Sequence, residues 1–210
     1  MITPEPIKKL TQKFSEFPGV GPKQAARFVF YLVGATKNYK EELAKLIENL
    51  NSIKPCPNCN FPTADTLCVI CANKNRQQNL ICIVEKVTDL LNIEKTQLYK
   101  GAYYILQGNI FENEKIELIS LKKRIENLLK NHQPQEVEII LATNPTTEGE
   151  ATTLYVEKEL KPLGAKLSRL ARGLPSGAEL EYLDPTTLQD AFKHRTSTYD
   201  SNEASTGLRP

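Results

Sequence analysis

Apolar side chains recur at helical spacing near the start of the chain. Ile7, Leu10, Phe14 and Phe17 lie three, four and three positions apart, which predicts a helix over 5–17. The run Phe17-Pro18-Gly19-Val20-Gly21-Pro22 ends it, because two glycines open backbone angles closed to other residues and Pro22 suits the first turn of a new helix. That second helix is expected from Pro22 to Val33. A third, from Tyr39 to Leu50, carries Leu43, Leu46, Ile47 and Leu50 on one stripe, so three short helices can pack together.

The periodicity lapses between Lys54 and Asn79, where Pro, Asn, Cys and Thr dominate, and something other than a buried core must order that stretch. Beyond it, apolar runs at Leu80–Val84, Tyr103–Leu106, Val137–Ala142 and Lys166–Leu170 alternate with helical patterns near 86–95, 116–131 and 149–160. Strands alternating with helices predict an α/β domain whose largely parallel sheet is covered on both faces. Residues 196–210 hold six Ser or Thr and little to bury, so a flexible tail is expected there.

Composition narrows the function. A chain of 210 residues that is 40% hydrophobic and 25% charged can bury a real core, which argues against wholesale disorder. The two histidines, His132 and His194, provision nucleophilic catalysis poorly, since a serine or thiol nucleophile needs an imidazole within reach. The longest apolar stretch, Phe28 to Ala35, spans eight residues against the roughly 20 a bilayer requires, and no apolar leader opens the chain. Neither membrane insertion nor secretion is expected. The net charge of +2 hides a basic first quarter: residues 1–54 carry nine basic and five acidic side chains. Such an excess can attract phosphates or can be a solvated helical face.

The firmest chemical pattern is Cys56-x2-Cys59-x8-Cys68-x2-Cys71. Four thiolates at this spacing close a tetrahedral shell around one structural Zn2+ and leave no position for a substrate. Disulfides are the rival, disfavoured in a reducing compartment. The fifth cysteine, Cys82, reads as a small buried apolar residue. Phe17 to Lys23 has the form of a helix-hairpin-helix turn. Gly19 and Gly21 let main-chain N–H groups approach a phosphate, while Lys23 and Arg27 supply charge. The alternatives are a plain turn between packed helices and, given Phe28 to Leu32, an oligomerisation surface.

Glu85, at the end of one strand, and Thr143 to Glu150, after another, fall where ligands collect on a parallel sheet. Carboxylates there can hold magnesium, but Asn144 and Thr146 stand where an active site would carry aspartates, which predicts a degenerate, noncatalytic site. The enzymatic rival is a nuclease or primase using Glu85, Glu148 and Glu150. Glu179-Leu-Glu-Tyr-Leu-Asp184 has a Walker B cadence, yet the chain contains no phosphate loop, so a strand or turn that closes the sheet or meets a neighbouring subunit is the favoured reading.

Taken in order, Phe17-Pro-Gly-Val-Gly-Pro-Lys23, the four-cysteine segment, Ile81-Cys-Ile-Val-Glu85, Leu141 to Thr152, Arg169 to Gly177 and Glu179 to Tyr182 closely resemble the bacterial RecR family over about residues 3–196. The resemblance implies a helix-hairpin-helix region (1–53), a four-cysteine zinc finger (54–76), a Toprim domain (77–175) and a Walker B-like subunit-contact segment (176–195), followed by the tail (196–210). It also implies a noncatalytic mediator that works with RecO and RecF in the bacterial cytoplasm, on the nucleoid when acting. Such a mediator helps RecA replace single-strand-binding protein on gapped DNA. Family members form dimers or ring-like tetramers and hold single- or double-stranded DNA without reading sequence. Carried onto this chain, Lys23 and Arg27 become phosphate contacts beside Gly19 and Gly21, while Glu85, Asn144 and Glu148 become the partner-binding group of the Toprim segment. Two departures stand out. Tyr104 occupies a place where the family often has histidine, and Asn75-Arg76-Gln77 replaces an arginine-aspartate pair.

Overall fold

The computed structural model describes residues 3–107, 118–171 and 173–195. The start of the helix expected at 116, Arg172 of the 169–177 motif and the expected tail at 196–210 lie outside the described residues. The chain divides into two compact units, one of residues 1–55 with 62–64 and one of 56–61 with 65–210.

The first unit holds α1 (Glu5–Ser15), α2 (Pro22–Gly34) and α3 (Lys37–Asn49), then a 3-10 turn at Leu50–Ser52 and the two-residue antiparallel strands β1 (Lys54–Pro55) and β2 (Pro62–Thr63). A proline opens both α1 and α2, and Thr36 caps α3 by accepting the Tyr39 N–H at 3.3 Å. Phe14 stacks on Phe17 and meets Phe28 edge-on, fastening α1 to α2. Only Ala25 and Val29 are buried in α2, and none of the residues of α1 or α3 is.

The second unit contains the short helix α4 (Val69–Ala72), then β3 (Gln77–Val84), α5 (Val87–Lys95), β4 (Gly101–Ile105), α6 (Ile119–Leu129), β5 (Glu138–Leu141), α7 (Thr147–Leu160), β6 (Lys166–Arg169) and α8 (Pro185–Lys193). The strands lie in the order β4-β3-β5-β6, and every pairing is parallel. The pleat sorts side chains to alternate faces. Ile81, Ile83, Ala102, Tyr104, Ile139 and Leu141 meet Leu121 and Ile125 of α6 and Val156 and Leu160 of α7. Cys82, Val84, Tyr103 and Ile105 point to the other face, where Leu90 of α5 is joined by Cys56, Cys59, Cys68 and Ile70. One helix and the cysteine segment together do there what helices alone do on the first face.

Two differences from the sequence reading, at β3 and α8, have local causes. β3 begins at Gln77 because the Gln77 N–H reaches the Lys100 carbonyl at 2.9 Å, ahead of the apolar run. Of the strand and the turn expected at the Walker B cadence of Glu179–Asp184, the chain folds the turn, a 3-10 turn over Leu180–Tyr182. Its acid, Asp184, is the N-cap of the unexpected helix α8, accepting the Thr187 N–H at 2.9 Å and the Thr187 hydroxyl at 2.6 Å. The Thr187 hydroxyl holds that carboxyl below its ordinary value, as does the backbone N–H. Among the described residues no strand pairs with the outer edge of β6, whose Lys166 meets Glu138 of the inner neighbour β5 at 3.0 Å and whose Arg169 meets Glu157 of α7 at 2.9 Å.

Candidate functional site

The four cysteines come together through two tight turns. In the first, the N–H groups of Cys59 and Asn60 both reach the Cys56 carbonyl, and Asn60 closes the turn in the left-handed region at φ 63°. In the second, Cys68 sits at the N-cap of α4, and its sulfur accepts the Cys71 N–H at 3.4 Å. The four Sγ atoms lie within 4.8 Å of one another, and Cys56, Cys59 and Cys68 are buried. Sulfurs about 2.3 Å from a common ion in a tetrahedron stand roughly 3.8 Å apart, so the cluster has the size and donor chemistry of a closed metal shell. All five cysteines are free thiols. Burial pushes Cys68 up to about 11, whereas at Cys56 burial is outweighed by the N–H groups of Cys68 and Asn58, which bring it down to about 7. Cys82, outside the cluster, is pushed up to about 12 by burial and is an inert core thiol.

At the hairpin between α1 and α2, Gly19 adopts φ +76° and so needs to be glycine. Gly21 has an ordinary φ of −79°, and a Cβ there would meet nothing within 4 Å. The chain's own packing does not require glycine at 21; a close approach by a ligand would. No side chain caps the start of α2, so its first N–H groups face outward with the positive end of the helix dipole. Lys23 and Arg27 are one helical turn apart and at the surface, and neither enters an ion pair among the described residues.

The carboxyl ends of β3 and β5 hold a different arrangement. Glu85 is only 3% exposed. One of its oxygens accepts the Asn144 N–H at 3.0 Å, and the other accepts the Asn144 side-chain amide at 2.8 Å. Gly149, at the start of α7, is pressed against this pair: an added Cβ would lie 1.9 Å from the Asn144 carbonyl oxygen and 3.0 Å from Glu85. Glu85 therefore faces the interior and holds Asn144, while Glu148 is exposed. Thr146 is no ligand here but the N-cap of α7, accepting the Gly149 N–H at 3.1 Å. Among the described residues the cysteine cluster is the one grouping of three or more metal-ligating side chains of the Cys, His and carboxylate types. Sequence reasoning does not single out Gly149. Its reason lies in a neighbour's backbone, although a glycine shortly after a helix N-cap is a cue.

The two departures find partners. Arg76 forms a forked ion pair with Glu94 of α5 and donates to the Gly101 carbonyl at 2.8 Å, so its acid comes from another element instead of the next residue. Tyr104 is buried and shares a 2.8 Å hydrogen bond with Ser120.

Comparison with known proteins fits this geometry. Family models for the RecR helix-hairpin-helix, the Toprim domain and the RecR C-terminal region match residues 7–50, 79–171 and 173–196. A recombination protein RecR from Herpetosiphon aurantiacus is 43% identical over 196 residues, which is 92% of this chain and 95% of that protein. The chain belongs to the RecR family. RecR proteins of Roseiflexus castenholzii and Dehalococcoides mccartyi are similar at 40% over 92% of this chain and 44% over 90%, covering 95% and 93% of those proteins. In this RecR-family chain the cysteine cluster falls between the helix-hairpin-helix and Toprim matches. No helix among the described residues is long and apolar enough to cross a membrane.

Proposed function

We propose that the protein is a noncatalytic recombination mediator that grips DNA through several copies of the hairpin between α1 and α2. The observation that carries this is the pairing of an uncapped helix start with the free cations Lys23 and Arg27 beside Gly21. Each contact binds phosphate without reading bases and is weak alone; copies held together raise the effective concentration along one DNA molecule. Self-association as a dimer or ring-like tetramer fits the exposed apolar residues of the same unit, among them Phe30, Tyr31, Leu46, Ile47 and Leu50. Zn2+ in the four-cysteine cluster, one per chain, serves as a structural ion.

The Glu85–Asn144 pair supports the noncatalytic reading, because Glu85 is almost wholly buried against Asn144, whereas a magnesium ion keeps several waters around it. Glu148, with Asn144 set by Glu85, forms the surface offered to RecO, and RecF joins in helping RecA onto gapped DNA. The work is done in the cytoplasm, at the nucleoid. Residues 1–53, 54–76, 77–175 and 176–195 serve as the DNA-gripping, zinc, partner and subunit-contact regions, with 196–210 outside them.

Replacing both Lys23 and Arg27 with glutamate is expected to weaken binding to single- and double-stranded DNA alike and to lower the salt slope by about two per engaged hairpin. Zinc content should be unchanged. Equal affinity of variant and parent across a salt titration by fluorescence anisotropy overturns the assignment.

A further inference from the structure

The first cysteine turn is tied to the sheet by groups remote in sequence. The Ile105 N–H at the end of edge strand β4 donates to the Cys59 carbonyl at 2.9 Å, and the Asn60 side-chain amide donates to the Ile105 carbonyl at 2.8 Å. Arg124 reaches over from α6. Its Nη1 donates to the Asn58 carbonyl at 3.0 Å, within the Cys56–Cys59 turn, and to the Tyr103 carbonyl at 3.2 Å on β4, while Nη2 donates to Gln78 of β3 at 3.1 Å. One guanidinium thus joins a metal-binding turn, two strands and a helix. A planar fork of five N–H donors suits this task, and the point charge of a lysine does not.

From this geometry we infer that Arg124 is a positioning residue for the metal: it holds the Cys56–Cys59 turn in its ligating shape and so governs how long the zinc is retained. The inference rests on the reading of the cysteine cluster as a zinc site. Its physical basis is reciprocity. If docking on β4 pre-forms the turn, docking must strengthen metal binding, and bound metal must by the same factor order the edge of β4. Outer contacts of this kind commonly change metal affinity by about 10–100-fold. Arg124 is 66 residues from Asn58, so no spacing pattern in the sequence connects them.

The test uses the full chain. Zinc per chain is measured first by elemental mass spectrometry, and its release to an excess of a metallochromic chelator is then timed for the parent, Arg124→Ala, Arg124→Lys, Asn60→Gly and Lys122→Ala. Lys122 lies on the same helix but pairs with Glu159 instead, at 2.6 Å, and controls for general loosening of α6. Release about tenfold faster or more is expected for Arg124→Ala, an intermediate rate for Arg124→Lys and for Asn60→Gly, and the parental rate for Lys122→Ala. Hydrogen exchange at Ile105 should quicken in the same order, and equally when zinc is stripped from the parent. Should Arg124→Ala not fold, Arg124→Lys and Asn60→Gly carry the test. A parent without zinc overturns the zinc reading and this inference together. A zinc-loaded parent whose Arg124 and Asn60 variants release metal at the parental rate, or no faster than Lys122→Ala, overturns this inference alone.

Discussion

The sheet unit and the three-helix unit put their apolar side chains to opposite ends. In the sheet unit, Ile81, Ile83, Tyr104, Leu121, Ile125, Ile139, Val156 and Leu160 are essentially withdrawn from water. In the helical unit, Phe30, Tyr31, Val33, Leu46, Ile47 and Leu50 are all more than half exposed. Apolar content therefore does not report where a core lies; what matters is whether the facing surface belongs to the same chain. The sheet closes its faces with α5, α6, α7 and the cysteine segment. The helices leave theirs open, and exposed apolar surface of this kind marks an interaction site.

The same substitution made in each unit should expose that contrast. Leu121→Ala, in the core beneath α6, is expected to cost about 2–5 kcal/mol in urea unfolding. An acid-sensitive contribution comes next. Burial works against charge on Glu94, but its bonds with Arg76 and Tyr103 outweigh that and hold its carboxyl below the ordinary value. Folding thus favours the ionised form. The stabilisation is complete above the unfolded value of about 4.3 and fades as pH falls through the lower folded one. Glu94→Gln should lower stability at pH 7 by about 1–3 kcal/mol and flatten the acid limb of a stability–pH curve. An unchanged acid limb would mean the pair with Arg76 contributes nothing. Smallest of all, Leu46→Ala should leave the unfolding of dilute chains within about 0.5 kcal/mol of the parent while weakening self-association by sedimentation. If it costs as much as Leu121→Ala, α3 has an interior of its own and the contrast fails.

Much of this was legible in the sequence because it is local. The hairpin follows from Gly19, which takes the left-handed turn, and from Pro22, which opens α2, whereas the cap at Thr146 that starts α7 two residues ahead of the expected 149 went unread. Two CxxC pairs announce their own meeting. What escaped depends on long separations: the cysteine segment as one cover of the sheet, the Arg76–Glu94 fork and the contact of Gly149 with Glu85 all join residues that no periodicity links. The Walker B cadence left a strand and a turn both open for another reason. Alternation of apolar and acidic residues does not fix a strand when no neighbouring strand receives it, and the helix start that claims Asp184 went unread.

The sheet has two borders, and they are treated unlike. The β4 border is occupied near Ile105, whereas among the described residues β6 offers unpaired backbone flanked by Lys166 and Arg169. Were chains to zip together backbone to backbone, the zipper would have to begin beside a fringe of charged side chains, Lys166 with Glu138 and Arg169 with Glu157, a poor seed for fibrils. An edge fenced in this way lets the chain reach high concentration without its sheets joining edge to edge.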